Sequence, residues 1–172
     1  VEDPATVTLF EESRDRIRSI ALVHEELYRF NDLAHIDLVT YVAQLSAKLA
    51  ESHARPGIGI VLEVAEVSLA INAAVPVGLI LNELLTNAFK HAFQGRDQGV
   101  ISVSFAETGD SYVLRVADDG VGMPEDFSVE FTESLGMQLI HNLTLQLRGR
   151  LTLGCGPDGT GSVITVSFPK EP

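Results

Sequence analysis

The stretch Asn82-Glu83-Leu84-Leu85-Thr86-Asn87-Ala88-Phe89-Lys90-His91 decides how the rest of the chain is read. It lies in a helical pattern that begins after Val75, with Pro76 suited to the first turn. The pattern continues through Val77, Ile80, Leu81, Leu84, Leu85, Ala88, Phe89 and Ala92 to about Phe93, and Gly95 stops it. Glu83, Asn87 and Lys90 then fall at i, i+4 and i+7, so a carboxylate, an amide and an ammonium share one stripe opposite the Leu/Ile face, with His91 beside it. Spacing leaves two readings open. The stripe is either a solvated face with favourable acid-to-base spacing, or a platform where an Asn oxygen meets a hard cation such as Mg²⁺ and a lysine meets phosphate.

Downstream, two alternating runs, Val100–Ala106 and Tyr112–Asp118, flank the turn Thr108-Gly109-Asp110 and read as a strand hairpin. The two-residue period puts Asp118 on the face of Leu114 and Val116, the inner one. A carboxylate there needs donors, from backbone, water or a ligand's amino group. Asp119-Gly120-Val121-Gly122 follows, and its glycines allow either an ordinary turn or a close approach to a flat ligand. The loop from Asp119 to about Glu133 is rich in Gly, Pro and acidic residues. Leu135–Leu147 is then helical, and Leu135-Gly136 at its start offers amides to an anion, unless Ser134 is simply an N-cap. Arg150–Cys155 and Ser162–Phe168 read as the last strands. The glycines of Gly159-Thr160-Gly161-Ser162 between them are most simply a hairpin turn. No Rossmann or P-loop signature is present.

Upstream, apolar residues Phe10, Ile17, Ile20, Ala21, Leu27 and Tyr28 recur at helical spacing from Asp3-Pro4 to about Arg29. Asn31-Asp32 ends that helix, and Asp37 is placed to cap a second one carrying Leu38, Tyr41, Val42, Leu45 and Leu49. The two make a hairpin whose apolar stripes find no cover within the first 53 residues, so packing on another helix upstream or in a second chain is expected. His24 falls on the Ile17/Ile20/Leu27 face and reads as a packed interface residue. Helical periodicity yields to strand-like runs, Ile58–Glu63 and Val67–Ile71, after Arg55-Pro56-Gly57. The expected division is therefore a helical segment over 1–54 and a second domain over 55–172. Strands, hairpins and helices without regular βαβ alternation give an α+β fold, a two-layer sandwich carrying an N-terminal helical hairpin.

Composition limits the function. The chain has 172 residues, 45% apolar and 21% charged, which is globular rather than disordered. Twelve basic against 24 acidic residues leave a net charge of −12, which argues against nucleic acid and anionic membrane surfaces. Cys155 is the single cysteine, so no intramolecular disulfide forms and a reducing, cytoplasmic compartment is expected. Apolar runs such as Ala73–Leu81 reach about nine residues and contain Pro76, against the roughly 20 needed to cross a bilayer. The first residue is Val1 and no leader pattern precedes the first helix, so the chain is expected to be part of a longer protein, whose membrane attachment stays open.

Taken in order, Asn-Glu-Leu-Leu-Thr-Asn-Ala-Phe-Lys-His (82–91), Asp-Asp-Gly-Val-Gly (118–122), Ser-Leu-Gly-Met-Gln-Leu (134–139) and Gly-Thr-Gly-Ser with Ser-Phe-Pro (159–169) resemble the nucleotide-binding domain of sensor histidine kinases, the Bergerat-type ATP fold shared with gyrase-like ATPases. Arg16–Tyr28 is similar to the second dimerisation helix of the HisKA_2 subfamily. The resemblance implies an ATP-dependent protein-histidine kinase of a two-component system. In this role Asn87 ligates Mg²⁺, Lys90 contacts the phosphate chain, and His91 lies beside the nucleotide. It further implies that Asp118 accepts from the adenine amino group, Gly120 and Gly122 form the adenine-side turn, Gly136 starts the phosphate-side helix, and Ser162 makes a minor contact. Residues from about Met123 to Glu133 are the expected ATP lid.

The same resemblance implies a homodimer through the N-terminal helices and a response-regulator receiver domain as next recipient in the phosphorelay. It places the acceptor histidine upstream of Val1. Ser134-Leu135-Gly136 stands where the larger family has paired glycines, so one hinge is missing. Two other functions remain open: a gyrase-like ATPase with Glu83 as general base, and a binding module without catalysis.

Overall fold

The computed structural model describes residues 4–32, 34–53, 55–123, 134–156 and 159–170, with side chains in the first helix at 10, 13, 14, 17 and from 20 onward. The helices are α1 (Pro4–Tyr28), α2 (Leu38–His53), α3 (Ile71–Asn87), continued by a π-helical turn over Ala88–Ala92, and α4 (Leu135–Gln146). The strands are β1 (Ile36–Asp37), β2 (Ile58–Val64), β3 (Ser68–Leu69), β4 (Gly99–Thr108), β5 (Ser111–Asp118), β6 (Arg150–Cys155) and β7 (Ser162–Pro169).

Strands β2-β4-β5-β7-β6 form one sheet in that order, and β1 pairs with β3 in a separate ribbon. Side chains alternate across the sheet as the strand period requires, so Ile101, Val103 and Phe105 of β4 turn inward with Leu114 of β5 and Val166 of β7. They share one core with Leu81, Leu85 and Phe89 of the α3 segment and Ile140 of α4. Helices on one face of a largely antiparallel sheet make the expected two-layer α+β sandwich. One pairing was not expected: β2 and β4 run parallel, with Ile58 beside Gly99 and Val64 beside Phe105. Helix α3 therefore lies in the crossover joining two neighbouring strands.

Three local expectations are corrected. The run Val67–Ile71 contributes only the two-residue β3, because α3 begins at Ile71 and takes Pro76 inside it. Pro76 then withholds its amide from one carbonyl near the helix start, a limited loss there. The α2 stripe is covered within the chain: Leu38, Tyr41, Val42, Leu45 and Leu49 are buried, and α2 packs on α3, which lies beyond the first 53 residues. Gly78 of α3 permits that approach, since a Cβ there would overlap the Tyr41 hydroxyl.

Of the apolar row expected on α1, only Leu27 is buried. Val23, Glu26 and Leu27 face inward, whereas Phe10, Ile17 and Tyr28 are 72%, 68% and 75% exposed. His24 lies on the exposed side with its ring 6.0 Å from that of Tyr28, so it is no packed interface residue within this chain. The apolar residues of α1 exceed one face, and α2 and α3 cover only the row nearest them. Lys48 of α2 ties the two helices, lying 2.6 Å from the buried Glu26 carboxylate and 3.1 Å from Glu25. Its ammonium holds the Glu25 carboxyl below the usual range, and the two carboxylates raise Lys48. Asp37 caps α2 as expected, accepting from the Thr40 amide at 3.3 Å and from the Thr40 hydroxyl.

Candidate functional site

A cavity of about 320 Å³ opens between the end of α3 and the ends of β5 and β7. Leu84, Ala88, Ala92, Val116, Met137 and Ile164 give it apolar walls, and Asn87, His91, Asp118, Ser134 and Ser162 bring polar groups to it. An apolar slot with a few fixed polar groups suits a flat, largely aromatic ligand.

Asp118 is the fixed point of this site. The β5–β7 register sets it opposite Ser162. Its Oδ1 accepts from the Gly120 amide at 3.0 Å and the Ser162 amide at 3.3 Å, and its Oδ2 accepts from the Ser162 hydroxyl. A carboxylate offers about four lone-pair sites. Three donors are in place, which leaves acceptor capacity for a ligand's N–H.

Backbone contacts shape the loop behind Asp118. Gly122 has φ of 81° and lines the cavity, in the left-handed region that favours glycine. Gly120 is buried beneath the lining, and a Cβ there would overlap the Ala92 carbonyl oxygen, which accepts from the Val121 amide at 2.8 Å. Gly161, which stood in the last motif of the resemblance without a role of its own, donates its amide to Gly120 O at 3.1 Å, and a Cβ on it would strike the Asp118 carbonyl. Gly161 is thus a site residue that sequence reasoning missed.

On the helix side, the π-helical turn changes the expected stripe. Asn87, Ala88, His91 and Ala92 line the cavity, whereas Lys90 is exposed and lies outside the lining. A π turn holds one residue more than an α turn, and the cavity takes Asn87 and His91 from this face but neither Glu83 nor Lys90. Glu83 is only 7% exposed and also outside the lining, so the solvated-face reading does not hold at that position. The Asn87 amide nitrogen is 3.9 Å from Met137 Sδ, and its Oδ1 is the hard oxygen of the side chain at the cavity wall.

Gly136 is buried at the start of α4, between the lining residues Ser134 and Met137. The Ser134 side chain makes no capping bond to the first turn of α4 among the described residues, and a helix start offers positive potential to an anion. The expected lid, apart from Met123, lies outside the described residues. Met123, where the expected lid starts, lines the cavity, and Ser134 and Met137 join the lining without having been given a place in it.

Known proteins are similar to this chain in sequence and in fold. A family model described as "Histidine kinase-, DNA gyrase B-, and HSP90-like ATPase" matches residues 72–172, and one described as "Histidine kinase" (HisKA_2) matches residues 1–53. Blue-light-activated histidine kinase 2 of Erythrobacter litoralis is 27% identical over 169 residues, 93% of this chain and 47% of that protein. Sensor histidine kinase PdtaS of Mycolicibacterium smegmatis is 29% identical over 157 residues, 89% of this chain and 31% of that protein. The chain thus spans about half of the first relative and about a third of the second. Among solved structures, the histidine kinase domain of the Erythrobacter litoralis EL346 blue-light activated kinase superposes with a TM-score of 0.78 at 26% identity, over 90% of this chain and 72% of that one. The chain belongs to the histidine kinase-, DNA gyrase B- and HSP90-like ATPases, with a HisKA_2 histidine kinase segment ahead of its ATPase region.

Proposed function

We propose that this chain is the ATP-binding catalytic module of a two-component sensor histidine kinase, passing the ATP γ-phosphoryl group to a histidine on a helix beyond this sequence, for relay to a response-regulator aspartate. The observation that carries the reading is the Asp118 carboxylate, held by three donors at the mouth of an apolar cavity with one acceptor direction left for the adenine amino group. Residues 1–54 are then the remaining part of the dimerisation segment and 55–172 the catalytic domain. Dimerisation through α1 fits the exposed row of Phe10, Ile17, Ile20 and Tyr28.

The chain's own part is binding and positioning, which is most of what phosphoryl transfer asks of a protein. Asp118 selects the adenine amino group, the Gly120–Gly122 turn admits the ring edge, and the walls exclude water from its faces. His91 borders the nucleotide, and Lys90 reaches from the rim toward the phosphates. The first amides of α4, at Gly136, add positive potential for an anion. Asn87 Oδ1 fits Mg²⁺, which prefers hard oxygens. No cluster of three acidic, His or Cys side chains exists among the described residues to cage a metal, so the nucleotide and water would supply the other ligands. When bound, the ion neutralises charge on the phosphate chain.

Among the described residues no helix is long and apolar enough to cross a membrane. That, the lone exposed Cys155 and the net charge of −12 support a cytoplasmic module without nucleic-acid contact. The test is titration with a fluorescent ATP analogue with and without Mg²⁺, then incubation with radiolabelled ATP and a separately supplied acceptor helix. Mg²⁺-dependent binding, with acid-labile label on the acceptor only, is expected. Steady hydrolysis by the chain alone, abolished in Glu83→Ala with binding retained, would replace this reading by the gyrase-like one. No binding at tens of micromolar would favour an interaction module. Label on this chain that disappears in His24→Gln would move the acceptor onto α1.

A further inference from the structure

Arg55 stands two residues after the end of α2, and its guanidinium reaches across to the far end of α3. One terminal nitrogen donates to the Phe89 carbonyl at 2.9 Å, and the other donates to the carbonyls of Phe93 at 2.9 Å and Arg96 at 3.0 Å. These acceptors run from within the π-helical turn to beyond its exit. A helix end leaves carbonyls without amide partners, and a cation there also answers the helix dipole. His53 of α2 adds a second tie, its ring stacked on Phe89 at 4.8 Å and 13°.

The opposite side of the same turn is the cavity wall. Ala88, His91 and Ala92 line it, and the Ala92 carbonyl holds the Val121 amide, at the turn that follows Asp118. Arg96, whose carbonyl Arg55 binds, donates its own guanidinium to the Asp119 carbonyl. A path of hydrogen bonds therefore runs from the end of α2, through Arg55, to both sides of the loop beneath Asp118. A π turn is a rare geometry that persists where its surroundings fix it.

We propose that Arg55 is the positioning residue that holds the π-helical turn, and through it the nucleotide cavity, to the end of α2. It touches no ligand. Its three bonds keep Ala92 where the Gly120–Val121 turn needs it, so that the helical hairpin and the nucleotide site are mechanically joined at one side chain. The inference rests on the ATP reading for its consequence, and on hydrogen-bond geometry for its structural part.

The test uses the whole chain with Arg55→Gln and Arg55→Lys. The fluorescent ATP analogue is titrated under conditions where circular dichroism shows each variant folded, and amide hydrogen exchange is followed in parallel. Arg55→Gln is expected to weaken binding on the order of tenfold, the effect of losing charge-assisted bonds. Exchange should quicken at Val121 and over residues 93–96 while the central strands β5 and β7 keep their protection. Arg55→Lys, which keeps the charge but lacks the planar fork, should recover part of the affinity and part of the protection.

Wild-type affinity in a folded Gln variant, or a loss matched by faster exchange throughout β5 and β7, overturns the proposal. If the Gln variant does not fold, the Lys variant is judged by the same two readouts. A wild-type chain that binds no nucleotide overturns the ATP reading, and local against general exchange then decides on Arg55 alone.

Discussion

Ser162 meets Asp118 through both its amide, at 3.3 Å from Oδ1, and its hydroxyl, which donates to Oδ2. This pairing joins the ends of β5 and β7 and fixes the direction of the carboxylate. Ser162 is therefore better described as the group that orients Asp118 than as a minor ligand contact.

Ser162→Ala removes one charge-assisted bond and leaves the amide. Such bonds contribute about 1.5–3 kcal/mol, so affinity for a fluorescent ATP analogue should fall about tenfold or more. Asp118→Asn places an amide that can present donors against the adenine amino group, and a larger loss, about a hundredfold, is expected. Equal binding by wild type and both variants would remove Asp118 from the site.

Gly161→Ala and Gly159→Ala form a matched pair. Both glycines have positive φ, 69° and 73°, but a Cβ at Gly161 would strike the Asp118 carbonyl whereas Gly159 faces open space. Urea unfolding should show about 1 kcal/mol lost for Gly159→Ala, and about 2–3 kcal/mol for Gly161→Ala, with nucleotide affinity falling only in the latter.

Tyr41→Phe should leave stability unchanged or raise it by about 1 kcal/mol, because the Tyr41 hydroxyl is buried without a hydrogen-bond partner among the described residues. Burial, and then the nearby Glu26, push the Tyr41 phenol well above its ordinary value of 10.0. Above that pH the unfolded chain ionises this phenol and the folded chain does not, so wild-type stability falls as pH rises. The Phe variant should lack that part of the slope, which thermal melts at pH 9 to about 11 would reveal.

Glu25→Gln isolates the exposed pair with Lys48. The carboxyl of Glu25 is held below its ordinary 4.5, chiefly by its hydrogen bond to Lys48. Its stabilising contribution is therefore present above about pH 4.5 and lost as pH falls through the lower folded value. The difference in melting temperature between wild type and variant should be constant near neutrality and vanish in acid. Added salt should shrink it at pH 7.

Much of this arrangement was legible along the chain, and what was not has physical causes. Strand alternation alone put Asp118 on the inner face, and the Asp37 cap and the strand hairpin around Gly109 follow from local rules. The partner of Asp118 is 44 residues away, and register between strands so far apart leaves no local mark. Arg55 reads as a boundary residue because its three acceptors lie 34, 38 and 41 residues downstream. The π-helical turn was hidden because Ala88, Phe89 and Ala92 keep helical spacing whether the turn is α or π. On α1, apolar residues on more than one side made the buried row ambiguous until α2 and α3 were in place.

The widened turn at Ala88–Ala92 also makes length, more than composition, the quantity this segment guards. The turn holds one residue more than an α turn, so deleting one residue within it would let an unbroken α-helix form while the residues beyond keep nearly the same facing. Adding a residue instead would rotate everything beyond by about 100°, swinging His91 off the cavity wall and taking the seat beneath Val121 with it. An insertion should therefore be harsher here than a deletion, while the turn at Gly109, on the rim of the sheet, should absorb either change with little harm.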